Sequence, residues 1–184
     1  MRVHAPPAVV VYAQRHALGQ DDEVNARGRG VDGPALKLIQ ECRIIIAGAF
    51  TTLQPVGATT SITRNYIARL NTDGTVDSSY NPASSGNIFA LGLQSDGKLL
   101  VGGAFTSFQP NGAAASTSRT NLARLNADGT LDTTFGTAGI TRVTGSTGIF
   151  TDLQRLPDGR LIGTGCGGGN FRARRFSADG VLDP

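Results

Sequence analysis

The apolar positions of this chain fall into short runs that stop at glycine and restart after polar turns. Ile44 to Phe50 reads IIIAGAF and Leu99 to Phe105 reads LLVGGAF. Continuous apolar runs of this length are expected of strands covered on both faces. Two strands over 43–50 and 98–105 are therefore predicted, each preceded by a first strand at 35–40 or 88–94, because Ala35, Leu36 and Leu38 align with Ala90, Leu91 and Leu93. Ser95-Asp96-Gly97 supplies the hairpin turn in the second case, since Asp and Gly suit a left-handed backbone. Gln40-Glu41-Cys42 stands there in the first, and its hairpin should be looser. Gly48 and Gly103 are expected to let a neighbouring sheet come close.

A third strand is predicted at 66–71, 121–126 and 171–177, each running into a corner that recurs. The corner reads RLNTDGTVD from Arg69 to Asp77, RLNADGTLD from Arg124 to Asp132 and RFSADGVLD from Arg175 to Asp183. Asn71 and Asn126 are 55 positions apart, as are Ile44 and Leu99. Repetition at such a period marks a repeat architecture. The units run over 33–87, 88–148 and 149–184, and LPDGRLIG at Leu156 to Gly163 restates the first hairpin in the last of them. An outer fourth strand is predicted at Gly139 to Thr144, with a shorter counterpart near Ser79 to Ser84 that Pro82 breaks, as suits an edge. The third unit stops after its corner, so its last strand is missing.

Between second and third strands lie two long connections, TTLQPVGATTSITR from Thr51 to Arg64 and TSFQPNGAAASTSR from Thr106 to Arg119. They share Gln-Pro-x-Gly and a closing arginine, whereas the third unit passes from Cys166 to Phe171 in a few residues. Connections this long tend to be functional or mobile. Residues 1–32 show neither a helical nor a strand period and read as an irregular, disordered leader. His4 and His16 both lie there, as solvated side chains.

Composition agrees with many short strands: 25 glycines and no tryptophan in 184 residues, enough chain for one domain with a sizeable core. The net charge is +3, and all but Lys37 and Lys98 of the 17 basic residues are arginine. These are scattered rather than striped, so nucleic acid is not the expected partner. Cys42 and Cys166 make neither a disulfide framework nor a metal spacing, and Cys166, aligned with Ala49 and Ala104, is expected to be small and buried. Ala8 to Ala13 is too short for a secretory core or a bilayer span, so no membrane insertion is expected.

Candidate chemistry is sparse. Asn71, Asp73, Thr75 and Asp77, and likewise Asn126, Asp128, Thr130 and Asp132, place oxygens at alternate positions around a glycine. Calcium loops share that spacing but add a bidentate glutamate. None follows here, so a plain turn without metal is expected, with Asp73, Asp77, Asp128 and Asp132 as the calcium candidates. Arg69, Arg124 and Arg175 could form a ring of guanidinium groups for an anion. Repetition in every unit favours instead an internal fork-to-carboxylate tie with Asp77, Asp132 and Asp183. Gly163-x-Gly165-x-x-Gly168 matches a dinucleotide fingerprint only formally, because FRARRF, a strand, follows where a helix is needed. The Arg172, Arg174 and Arg175 cluster reads equally as a phosphate or acidic polysaccharide contact and as a charged sheet edge. Asp152, at the place of Ala90, is the one acid outside the repeating pattern. No catalytic set and no cofactor site are expected.

LQSDGKLLVGGAF, NLARLNADGTLDTTFG and LPDGRLI resemble the bacterial delta-60 repeat family, propeller-forming repeats of unassigned function, over roughly residues 33–184. The resemblance implies an all-β, β-propeller-type repeat of radial four-stranded antiparallel blades, on secreted or surface-attached proteins. It departs from the pattern at Glu41-Cys42, in the glycine-rich run of the third unit and at the end. Propellers close with about 4–8 blades, so three make an open arc unless further blades or self-association complete it, and a fragment of a longer protein is the favoured reading. The expected role is a non-catalytic structural scaffold or a module binding a protein or carbohydrate ligand. Its expected contact face carries the two long loops, with Gln54, Arg64, Gln109 and Arg119 as polar contacts. The alternative is a fragment of a propeller hydrolase or lyase whose catalytic residues lie on blades outside this chain.

Overall fold

A computed structural model describes residues 9–14, 43–55, 58–136, 149–167 and 170–183. Among them the chain is all-β apart from a 3-10 turn at Pro110–Gly112. The strands are β1 (Val9–Gln14), β2 (Arg43–Gly48), β3 (Thr52–Leu53), β4 (Ile62–Thr63), β5 (Ile67–Leu70), β6 (Asn87–Leu93), β7 (Leu99–Ala104), β8 (Ser107–Phe108), β9 (Thr117–Ser118), β10 (Leu122–Leu125), β11 (Ile149–Arg155), β12 (Leu161–Gly167) and β13 (Asn170–Phe176). They form three antiparallel three-stranded sheets, with β2, β7 and β12 in the middle of each, and two short ribbons, β3–β4 and β8–β9.

The first strand of the first sheet departs from the sequence expectation. Val9–Gln14 pairs with Arg43–Gly48, where a strand was expected at 35–40. VVVY is rich in β-branched and aromatic side chains, which favour an extended backbone, so this part of the leader is a strand rather than irregular chain. Residues 35–40, the Gln40-Glu41-Cys42 turn and both histidines lie outside the described residues. In the second sheet Gly97 takes φ +81 and closes the expected turn, with Gln94 N–H donating to the Lys98 carbonyl. The Gly159 hairpin repeats it.

Three strands per sheet are described, against the four expected. The stretch 139–144 lies outside the described residues. At 79–84 there is no strand; Ser84 forms an isolated bridge to Phe108 instead. After each Asp-Gly corner the chain returns for a single bridge, Val76 to Leu70, Leu131 to Leu125 and Leu182 to Phe176.

The sheets pack face to face in chain order, β6 against β1 and β2, and β11 against β6 and β7. Ile45, Ala47 and Ile67 meet Ile88, Leu91, Leu99 and Val101 across the first interface. Leu100 and Leu122 meet Phe150, Leu153, Leu161 and Phe176 across the second. The alternation of a strand explains the split: Leu99 and Val101 face one way and Leu100 the other, so β7 is covered on both faces as expected. In β2 only one face is fully covered, and Ile44 and Ile46 remain half-buried. Each fully buried side chain of this size contributes about 1.5–3 kcal/mol.

The glycine that admits the neighbouring sheet is Gly102, where a Cβ would lie 3.0 Å from Phe150 and Leu153 atoms. Gly103 serves its own sheet: a Cβ there would run into the Asn87 carbonyl, because a bulge between Ile88 and Ala90 presses β6 onto β7. Gly165 does the same beside the Phe150/Asp152 bulge. Cys166 is exposed rather than buried, as are Ala49 and Ala104, since each falls past the covered part of its middle strand.

Candidate functional site

The corner is built around its last aspartate. In the second unit Asp132 Oδ2 accepts from Arg124 Nε at 2.8 Å and from Lys98 Nζ at 2.8 Å, while Oδ1 accepts from the amide and hydroxyl of Thr134. The first unit repeats this with Arg69 Nε 2.9 Å and Arg43 Nη1 3.2 Å from Asp77 Oδ2, and with Ser79 on Oδ1. The third has Arg175 Nε 2.6 Å and Arg160 Nη1 3.6 Å from Asp183 Oδ2. The structure thus brings together each arginine and aspartate that the sequence pairs, and adds a second cation. That cation has a signal, a basic residue opening every middle strand, at Arg43, Lys98 and Arg160.

The same arginine reaches into the next unit. Arg69 Nη1 donates to the Ala127 carbonyl at 2.6 Å, and Arg124 Nη1 to the Ala178 carbonyl at 3.1 Å. The two acceptors are equivalent residues of the following Asp-Gly turn. Beneath each guanidinium lies an aromatic ring three residues past the corner aspartate, Tyr80 at 4.3 Å and Phe135 at 4.7 Å, a cation–π stack. That ring packs on the glycine of the next turn. A Cβ on Gly129 would be 3.0 Å from Tyr80, and one on Gly180 would be 2.5 Å from Phe135. Both glycines have positive φ, +87° and +77°, so glycine is required twice over.

The described residues of the long connections form two short ribbons. Gln54 and Gln109 are exposed, but each donates its amide within its own loop, to the Ala58 and Ala113 carbonyls at 3.0 and 2.7 Å. Arg64 and Arg119 are buried at the ribbon bases, and their guanidinium groups donate to the Thr63 and Ser118 carbonyls; Arg64 also reaches the Asp77 carbonyl at 3.2 Å. Burial lowers the Arg119 pKa, an effect that Asp132 opposes. The second ribbon is bonded to the connection between first and second sheets: Ser85 N–H donates to the Ser107 carbonyl, Gln109 N–H to Ala83 and Asn111 N–H to Asn81. Asn81 N–H returns a bond to Asn111 Oδ1. Ribbon and inter-sheet connection therefore share one side of the molecule.

Residues 43–80 and 94–135 match the family model described as Domain of unknown function (DUF5122) beta-propeller. The chain is a β-propeller-type repeat protein. No curated protein and no solved structure matches it. The matched residues hold the first two corners and both middle strands, so the propeller repeat and the corner geometry coincide.

In these propeller repeats the calcium-candidate oxygens have protein donors. Asp73 Oδ1 accepts the Thr75 amide and hydroxyl, and Asp128 Oδ1 those of Thr130; these bonds hold both carboxyls below their usual range. Burial pushes Asp77 and Asp132 up, but the hydroxyl, amide and cationic donors outweigh it and hold both below the ordinary carboxylate value. Among the described residues no three His, Cys, Asp or Glu gather as a metal cluster. Gly163 and Gly165 lie inside β12 and a strand follows, while Gly168 lies outside the described residues. Asp152 is exposed and caps the Leu153 amide at 2.9 Å.

Proposed function

We propose that the chain is a non-catalytic propeller scaffold of a secreted or surface protein, and that its ribbon-bearing side binds a carbohydrate or protein partner. One observation carries the reading. The β8–β9 ribbon exposes every residue from Asn111 to Ser118, yet its base is fixed by buried Arg119 and its loop by Gln109. A stiff base under an exposed, hydroxyl-rich tip presents polar groups at low ordering cost on binding. The β3–β4 ribbon offers a second such tip, with Gln54 in the place of Gln109. Gln54 and Gln109 are the proposed contacts, and Arg64 and Arg119 the supports that aim them. The delta-60 resemblance supports the secreted or surface setting.

The test replaces both ribbon tips by short Asn-Gly turns and compares capture on a glycan array and by candidate surface proteins. Binding should be lost while the melting temperature of the sheets holds. Binding that survives removal of both tips would sink the proposal.

A further inference from the structure

The two ribbons are copies of one device and are tied to one another. Each is closed by the same bond, Arg64 N–H to the Thr51 carbonyl at 3.0 Å and Arg119 N–H to the Thr106 carbonyl at 2.9 Å. The segment 81–85, between the first two sheets, is bonded to both. Ser84 N–H donates at 3.3 Å to the carbonyl of Asn65, the residue that follows the first ribbon, and Ser84 also bridges Phe108 in the second. Ser85 Oγ accepts the Thr106 and Ser107 amides, each at 3.0 Å. Ala83, in the middle of the segment, holds φ +49, which a residue other than glycine keeps only where its surroundings impose it. The two ribbon bases are thus fixed relative to each other before any partner arrives.

The chemistry of these segments narrows the partner. Residues 51–63, 81–86 and 106–118 contain no Asp, Glu, Lys, Arg or His, and their one aromatic side chain, Phe108, is buried. Protein interfaces draw on aromatic and arginine anchors, and a charged ligand needs countercharge. The segments expose neither. They expose hydroxyls instead: Thr59, Thr60 and Ser61 on the first ribbon and Ser116, Thr117 and Ser118 on the second are exposed, and among the described residues their hydroxyls bond to nothing. The corner hydroxyls of Thr75, Ser79, Thr130 and Thr134, by contrast, all donate to aspartates.

We infer that the two ribbons act as a pair and together bind one linear, uncharged polysaccharide, a reading that rests on the ribbon-bearing side being the binding surface. A neutral hydrogen bond gains little over the water it replaces, so one tip holds a sugar weakly. A polymer repeats its hydroxyls along its length and engages both tips at once. The second contact is then intramolecular, which multiplies affinity without a new kind of bond. Fixed bases favour this, because the tips need no further ordering relative to each other.

Biolayer interferometry of the full chain against size-graded neutral glucans and galactomannans, with alginate as the acidic comparison, tests this. Affinity should rise steeply with chain length, be insensitive to salt and be absent for alginate. Replacing either tip alone, 58–61 or 112–116, by a short Asn-Gly turn should lower the affinity for the longest chains by more than about tenfold. The weak binding of the shortest chains should stay nearly as it was. Ser61→Ala combined with Ser116→Ala removes hydroxyls that the fold does not use, and should weaken long-chain binding at an unchanged melting temperature. Neutral-chain affinity that does not depend on length, or that falls only when both tips are gone, would overturn the paired site and leave the ribbon side as a binding surface. Salt-sensitive capture of alginate in place of the neutral chains, or tip-dependent capture of a surface protein alone, would overturn the ligand class. No tip-dependent capture of any glycan or protein would overturn both this inference and the reading it rests on.

Discussion

The Arg124 and Arg175 corners have nearly the same sequence, RLNADGTLD and RFSADGVLD, and different surroundings. Arg124 lies between an aspartate, an aromatic ring and a carbonyl of the next unit, and is almost wholly covered. Arg175 keeps the aspartate, at 2.6 Å, but nearly half its side chain is open to solvent. The difference teaches that the corner does two jobs. Its internal tie needs only its own unit, whereas its burial comes from the neighbour, and a charge pair is expensive to break only where water cannot replace the lost partner.

The sharpest way to break the comparison is to truncate both arginines. Arg124→Ala should destabilise the fold by about 3–4 kcal/mol, somewhat eased because Lys98 still pairs with Asp132. Arg175→Ala should stay within about 0.5 kcal/mol. Urea denaturation of both variants checks this. The glycines sharpen the point. Gly129→Ala and Gly74→Ala share a left-handed backbone, φ +87° and +82°, so each carries the same conformational penalty. Gly129→Ala also pushes into Tyr80 and should cost about 2 kcal/mol more, which thermal melts would read.

Acid should weaken the first two corners. Asp77 and Asp132 titrate in the folded chain below the ordinary value of 3.8. Their contribution is present above that pH and is lost as pH falls through the lower folded values. Melting temperature measured below pH 4 should therefore drop steeply in the wild type and less steeply in Arg124→Ala. The smallest effect expected is from Tyr80→Phe. The Tyr80 hydroxyl is buried without a hydrogen-bond partner among the described residues, and Phe135 fills the equivalent place in the second unit. Removing that hydroxyl should leave stability unchanged or raise it by up to about 1 kcal/mol.

Much of the fold was legible because it repeats. The middle and third strands, the Asp-Gly turns and the arginine–aspartate spacing all show in two or three copies, and periodicity at that scale is independent of local propensity. The strand at Val9–Gln14 was missed because its run was weighed only as an export or membrane segment, and its partner lies far along the chain. The two-residue strands of the ribbons are too short to show a period of 2. Arg64 and Arg119 read as polar contacts because they close the two long loops; their burial at the ribbon bases depends on packing that the sequence does not spell out. The inter-unit lock was spelled out by Tyr80 and Phe135, each three residues past its corner aspartate. It could not be read as a lock without knowing that those rings meet the next turn's glycine.

Hydrogen exchange of the Arg124→Ala variant tests the central claim most directly, because it reports which unit loosens when the second corner is cut. If the corner locks one unit to the next, amides of β12 and β13 in the third sheet should lose protection together with those of β10. Loss confined to the second sheet, with the third sheet as protected as in the wild type, would show the corner to be an internal brace alone and would contradict the account.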